Sequence, residues 1–275
     1  MIQPTQSKLR IVIYGAGNMA WHLTREFALS GRCELSVSDR TPGKAKELSK
    51  EFNCRYLLHI DNNVDCDLLV LAVNDSAIAE IIQQLTLPDA VIVHTAGSMP
   101  MNVLSSTGNK YGVFYPFQTL TRGLSVDFKN VPVCIEASDK QSQDFLLTAA
   151  KLVSNSVQLM DSAARKKLHL AGIIANNFVN HLYTLVNDFM QLEGLKAELI
   201  TPLIQETCRK AGILNPAQAQ TGPARRNNKE IITQHIEMLK GQPSLKNLYS
   251  LISDSIIAYY SGFTNDKLQT ETKPD

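Results

Sequence analysis

The chain has 275 residues, with 27 Lys and Arg against 26 Asp and Glu and a formal net charge of +1. That length suits one large or two modest domains with a sizeable core, and the even charge balance gives no pull toward nucleic acid. Met1 to Arg10 lacks the apolar core of a signal peptide, and no apolar run approaches the ~18 residues of a membrane span. The five cysteines (Cys33, Cys54, Cys66, Cys134 and Cys208) are scattered and odd in number, which suggests neither a disulfide framework nor a zinc site. Reduced thiols in a cytoplasm, with no metal, are the expectation.

The most informative stretch comes first. Leu9–Tyr14 reads as a buried strand, Gly15-Ala16-Gly17 as a tight turn, and Asn18-Met19-Ala20 as the start of an amphipathic helix that ends near Gly31. In this setting Gly15 permits the turn and Gly17 lets the backbone approach a pyrophosphate. Ala20 is small enough for close helix–strand packing. The helix N-terminus then offers N–H groups and a positive dipole end to the anion. Gly15, Gly17, Asn18 and Met19 are therefore cofactor-binding candidates.

Strand candidates follow at 35–38, 68–73, 90–94, 111–114, 131–135 and 156–160, alternating with helical patterns. Such alternation implies an α/β fold with a doubly wound, Rossmann-type parallel sheet. The second strand ends in Asp39-Arg40-Thr41. Asp39, 22 positions after Gly17, stands where an acid binds the adenosine ribose of NAD, whereas Arg40 and Thr41 suit the 2′-phosphate of NADP. The two signals conflict, and the Arg-Thr pair tips the reading toward NADP. Ala72-Val73-Asn74 ends the apolar strand and offers backbone to the nicotinamide half. Asp75 reads as a helix N-cap. The turns His94–Ser98, with Gly97, and Tyr115–Gln118 should line the same cleft where the sheet is parallel.

From about Ser162 the strand pattern stops and helices take over, at 162–190, 195–211, 228–240 and 244–263, with Gly212 as a helix stop. Thr201-Pro202 marks either a helix start or a kink. The domains are accordingly 1–160, binding NAD(P), and 161–275, all-helical. On the long first helix His169, Asn176, Asn180 and Asn187 align at 100° per residue, beside Asn177, His181, Thr184 and Asp188. This face is polar yet nearly uncharged, which suits a cleft or a subunit contact. His169 and His181, or Lys166 and Lys167, can donate a proton to a carbonyl or imine that receives hydride. The loop Thr221-Gly222-Pro223-Ala224-Arg225-Arg226 offers bidentate donors to a carboxylate or phosphate, and Asn227 or Asn228 caps the next helix. No P-loop, H-E-x-x-H or G-x-S-x-G motif occurs, which weakens ATPase, zinc hydrolase and serine hydrolase readings.

The Gly15–Ala20 motif resembles that of pyrroline-5-carboxylate reductases and the wider 6-phosphogluconate and β-hydroxyacid dehydrogenase superfamily. The chain is similar over most of its length to one branch, the NADP oxidoreductases with a Rossmann-like domain and a C-terminal helical domain of unknown function, also grouped with deazaflavin-dependent NADP reductases. The shared features are Ala72–Asp75, His94–Ser98, Tyr115–Thr119, His169 with Asn177, and Thr221–Arg225. The resemblance implies a C-terminal domain like that of 6-phosphogluconate dehydrogenase and a homodimer formed through it. His169, Asn177 and Arg225 are the catalytic candidates. The lysine that β-hydroxyacid dehydrogenases place one turn before an asparagine has no counterpart, since Gly172 and Ile173 precede Asn176 and Asn177 by four. The leading expectation is an NAD(P)-dependent oxidoreductase acting on a small carbonyl, imine or alcohol. The alternative is a sensor or scaffold that binds the cofactor without turnover.

Overall fold

The computed structural model describes residues 8–60, 64–83, 87 and 89–262. The polar ends, residues 1–7 and those beyond 262, lie outside the described residues. Two compact units divide the chain between Asn177 and Phe178.

In the first unit, strands β1 (Leu9–Tyr14), β2 (Cys33–Ser38), β3 (Arg55–Tyr56), β4 (Leu68–Leu71), β5 (Val91–His94), β6 (Tyr111–Pro116), β7 (Val133–Ala137) and β8 (Val157–Leu159) form one sheet in the order β3-β2-β1-β4-β5-β6-β7-β8. Helices α1 (Asn18–Ser30), α2 (Pro42–Glu51), α3 (Asp75–Ile82), α4 (Lys140–Val153) and α5 (Ser162–Gly172) connect or follow the strands. Central strands are apolar on both faces because both are covered. Ile11, Ile13, Leu68 and Val70 pack with Leu23 and Phe27 of α1 and Leu146 and Ala149 of α4. Val12, Leu69 and Leu71 pack with Ile78 and Ile82 of α3 on the opposite face.

Two features depart from the sequence expectation. The two-residue edge strand β3 carries no periodic signal. Strands β6 and β7 pair antiparallel, with Gly112 opposite Ala137. The connection between them, residues 117–132, holds a 3-10 turn, Phe128–Asn130, and no crossover helix of the kind that usually joins parallel strands.

Ala20 is fully buried, as close packing of α1 on the sheet requires. The helix ends at Gly31 in the left-handed conformation (φ 65°), with its N–H on the Ala28 carbonyl. Asp75 is not the N-cap of α3. Asn74 is, and Asp75 is the first helical residue, with its carboxylate accepting the Ser98 hydroxyl.

The helix-only part begins at Ser162, and the long helix read over 162–190 is interrupted. After α5 comes a π-helical turn, Ile173–Phe178, before α6 (Val179–Leu192). A wider turn shifts the phase, so a uniform 100° step does not align His169 with Asn180 and Asn187.

The second unit continues with α7 (Thr201–Ile213), α8 (Pro216–Ala219), α9 (Lys229–Met238) and α10 (Pro243–Ser261). Thr201-Pro202 opens α7 behind a 3-10 turn, which fits proline where the N–H has no helical partner. Gly212 lies inside α7, which ends only at Ile213. Asn228 caps α9 by accepting the Ile231 N–H at 3.1 Å. Met190, Ala224, Ile232 and Leu239 are this unit's buried apolar residues among those described. No helix among the described residues is long and apolar enough to cross a membrane.

Candidate dinucleotide and proton-transfer site

The carboxyl ends of β1, β2, β4 and β5 open onto a cavity of about 520 Å³. It sits where the strand order reverses, the crevice in which open α/β sheets bind ligands. Its lining includes Gly15, Gly17, Asn18, Met19, Asp39, Arg40, Thr41, Ala72, Val73 and Asn74, together with Thr95. Gly97 lies two residues beyond Thr95 and is not part of the lining. Lys44 and Glu80 are also at the wall, and sequence reasoning passed over both. Lys44 stands three residues after Thr41 in the first turn of α2, a spacing that could have flagged it.

The glycines of the turn do different work. Gly15 has φ +128°, and an added Cβ would collide with the Ala72 carbonyl oxygen. Gly17 has nothing within 4 Å of where its Cβ would stand. It is the N-cap of α1, with no side-chain cap and no acidic residue in the first turn. Open space over a bare helix N-terminus suits an anionic diphosphate.

At the other end of the cavity the Asp39 carboxylate accepts the Thr41 N–H at 2.6 Å, so it braces its own loop. Asn18 faces the cavity while its Oδ1 accepts the Arg122 N–H at 3.1 Å.

Helix α5 brings a second group to the sheet ends. Arg165, His169 and Gly172 are spaced by four and three, which puts them on one helix face. Gly172 lies against the Phe117 ring, where a Cβ would come within 2.7 Å. His169 Nδ1 is 3.1 Å from the Tyr115 hydroxyl. Both crowd Gly97, whose Cβ would stand 2.5 Å from Nδ1 and 2.8 Å from the phenol oxygen. Glycine at 97 is thus what lets this pair rest on the turn after β5. Burial, foremost, pushes the Tyr115 hydroxyl up to about 12. Arg165 is fully buried and ion-paired with Glu136, and it donates to the Met99 carbonyl at 2.5 Å.

His94 is a different kind of histidine. Its ring is fully buried, and Nδ1 accepts the Ala96 N–H at 3.1 Å, which assigns the proton to Nε2. Desolvation, helped by the charge of Arg165, pushes it down to about 4. Because the folded value lies below the unfolded ~6.5, the native state takes up this proton only below about pH 4. The unfolded chain begins to take it at about pH 6.5. Stability is therefore expected to fall across that window by on the order of 3 kcal/mol. Urea melts from pH 7 to 4 check this: His94→Asn, which keeps an acceptor for Ala96, should flatten the slope, and an unchanged slope refutes the assignment.

Of the other catalytic candidates, Asn177 is exposed on the π-helical turn. Arg225 lies in the second unit, where its guanidinium stacks on the Tyr260 ring at 4.0 Å. The Tyr260 hydroxyl in turn donates to the Ala217 carbonyl at 2.6 Å.

Strand, glycine turn, helix and crevice define a Rossmann-type dinucleotide-binding protein. Residues 10–97 match the family described as NADP oxidoreductase, coenzyme F420-dependent, and residues 131–256 match a domain of unknown function, DUF2520. The chain is 39% identical to a presumed NADP oxidoreductase of Bacteroides fragilis, with a TM-score of 0.86 over 92% of this chain and 99% of that one. It belongs to this family of NADP oxidoreductases and is itself an oxidoreductase. A protein of Thermotoga maritima shares the fold at 18% identity and a TM-score of 0.76, covering 92% of this chain and 100% of that one. A reductive aminase of Aspergillus terreus, solved with NADPH and ethyl levulinate, shares it at 16% and 0.64, covering 92% and 99%. None of the curated proteins matches the chain.

Proposed function

We propose that the protein is an NADPH-dependent reductase of a small carbonyl or imine. The observation that carries this reading is the open space over Gly17 at the uncapped N-terminus of α1, within a cavity that runs from Arg40 to Thr95. When bound, the reduced nicotinamide supplies the hydride. Gly15, Gly17, Asn18 and Met19 form the diphosphate cradle, and Arg40, Thr41 and Lys44 hold the 2′-phosphate. Asp39, engaged with the Thr41 N–H, shapes the loop rather than selecting NAD. Ala72, Val73 and Asn74 support the nicotinamide half, with Gly97 and His169 at the acceptor end and His169 as the source of the proton. Asn177 contacts substrate from the first unit, and within the second unit the stacked Arg225 guanidinium is suited to an anionic group. The NADPH bound to the Aspergillus reductive aminase supports the cofactor choice. The family membership does not favour the sensor reading.

The second unit works as a homodimer in this reading. Leu192, Leu199, Leu203, Ile213 and Leu251 are all more than 60% exposed, apolar surface that a second copy would cover. Five free cysteines suit a reducing cytoplasm.

Titration with NADPH and NADH, followed by nicotinamide fluorescence, tests the core of the proposal. NADPH is expected to bind at least about 10-fold more tightly, since a charge-assisted hydrogen bond to the phosphate contributes about 1.5–3 kcal/mol. Arg40→Leu should erase most of that difference. Binding of neither nucleotide overturns the reading.

A further inference from the structure

We propose that Tyr115 is a catalytic residue: its hydroxyl hands the proton to the reacting oxygen or nitrogen, and His169 behind it replenishes that proton. The inference rests on the reductase reading above and names the route the proton takes. The hydroxyl and His169 Nδ1 are 3.1 Å apart, and the phenol oxygen reaches the turn at Gly97, two residues from the cavity-lining Thr95. Tyr115 is buried whereas His169 is half-exposed, so the phenol sits on the dry side of the pair and the imidazole on the side that exchanges with water.

The other polar groups near this turn are engaged or withdrawn. Ser98 donates to Asp75, the Arg165 guanidinium is committed to Glu136 and Met99, and His94 is sealed in the core in its neutral form. Desolvation keeps the Tyr115 hydroxyl protonated throughout the physiological range, so it is always loaded as a donor.

The step balances as follows. The hydride forms the new C–H bond while the π pair of the C=O or C=N bond moves onto the heteroatom. The Tyr115 O–H proton moves to that heteroatom, and the Nδ1–H of His169 passes its proton to the phenolate. Nε2 of His169 takes a proton from water, so the ring exchanges one proton for another. Cofactor and substrate exchange two electrons, and one proton is consumed.

A ketone needs that proton, but an N-alkylated cyclic iminium does not, because hydride alone converts it to a neutral amine. The test is single-turnover oxidation of bound NADPH by cyclohexanone and by an N-methyl-pyrrolinium salt, in wild type and in Tyr115→Phe. The expected result is a loss of about 100-fold or more with the ketone, in the range of general acid catalysis. The iminium rate should stay within about 3-fold and the NADPH affinity unchanged. Equal losses with both probes, or no loss with the ketone, overturn the proposal, because a merely structural tyrosine does not distinguish them. Should Tyr115→Phe fail to fold, His169→Gln is expected to show the same selective loss, and equal rates overturn the proposal there too. A wild type that binds NADPH and reduces neither probe overturns this inference alone. One that binds no NADPH overturns the functional reading beneath it.

Discussion

Glu136→Ala is expected to destabilise the first unit by about 3–5 kcal/mol, the range for removing one partner of a buried ion pair. The Arg165 side chain is fully inaccessible and Glu136 is only 15% exposed. The Glu136 carboxylate also accepts the Ser162 hydroxyl at 2.7 Å, and Ser162 Oγ accepts the Met101 N–H at 3.0 Å. One carboxylate therefore joins β7, the start of α5 and the segment after β5. Without it, a guanidinium is left in a low-dielectric site with the Met99 carbonyl as its remaining strong acceptor. Activity should fall as well, because His169 is one helical turn beyond Arg165 and depends on the same seating of α5. The double variant Glu136→Leu with Arg165→Met removes the charge along with its partner and should recover much of the loss. Urea unfolding of the two single variants and the double measures the coupling. A single-variant loss below about 1 kcal/mol sinks the idea that this pair holds α5 to the sheet.

How far the chain could be read depended on how local each feature is. The β1–turn–α1 unit was legible because its information is contiguous: an apolar run, two glycines at fixed spacing and an amphipathic helix. The cavity residues at the ends of β2 and β4 followed from topology, since parallel strands deliver their carboxyl ends to one crevice. The conflict at Asp39-Arg40-Thr41 could not be resolved from composition, because it turns on side-chain direction, and the acceptance of the Thr41 N–H by the Asp39 carboxylate is not written in the residue types.

Pairings distant in sequence were out of reach. His169 stood out as a titratable group, but its partner Tyr115 lies 54 residues away and meets it only because α5 crosses the ends of β6 and β7. Arg165 sits beside Lys166 and Lys167, both exposed, yet it is fully buried and finds Glu136 29 residues back. The π-helical turn left no sign in the apolar period, so the polar stripe drawn across it fails by a phase shift. Gly212 misled for the opposite reason. The signal that ends α7 is the Leu214-Asn215-Pro216 segment beyond it, where the Asn215 side chain begins α8 by accepting the Ala217 N–H.

Gly15→Ala and Gly17→Ala are expected to fail in opposite ways, which separates the fold of the turn from its function. At Gly15 the backbone holds φ +128°, which L residues rarely adopt, and the new methyl would meet a backbone carbonyl that cannot swing aside. Ala72 is itself bonded through its N–H to the Tyr14 carbonyl at 2.8 Å, so β1 and β4 would have to part. A loss of more than about 3 kcal/mol is expected, with little soluble protein. At Gly17 the backbone is extended (φ −82°, ψ −169°), a conformation alanine adopts freely, and the methyl enters empty space. The fold should hold, with a change in melting temperature of a few degrees at most, since alanine is a poorer N-cap than glycine by about 1 kcal/mol. In the proposed reading that empty space is where the diphosphate approaches the N–H groups of α1. Losing one or more of those charge-assisted hydrogen bonds weakens NADPH by about 10- to 100-fold each. Melting temperature and NADPH titration of the two variants decide the matter. A Gly17→Ala protein that melts like wild type and binds NADPH with undiminished affinity would place the diphosphate elsewhere, even if Gly15→Ala unfolds as expected.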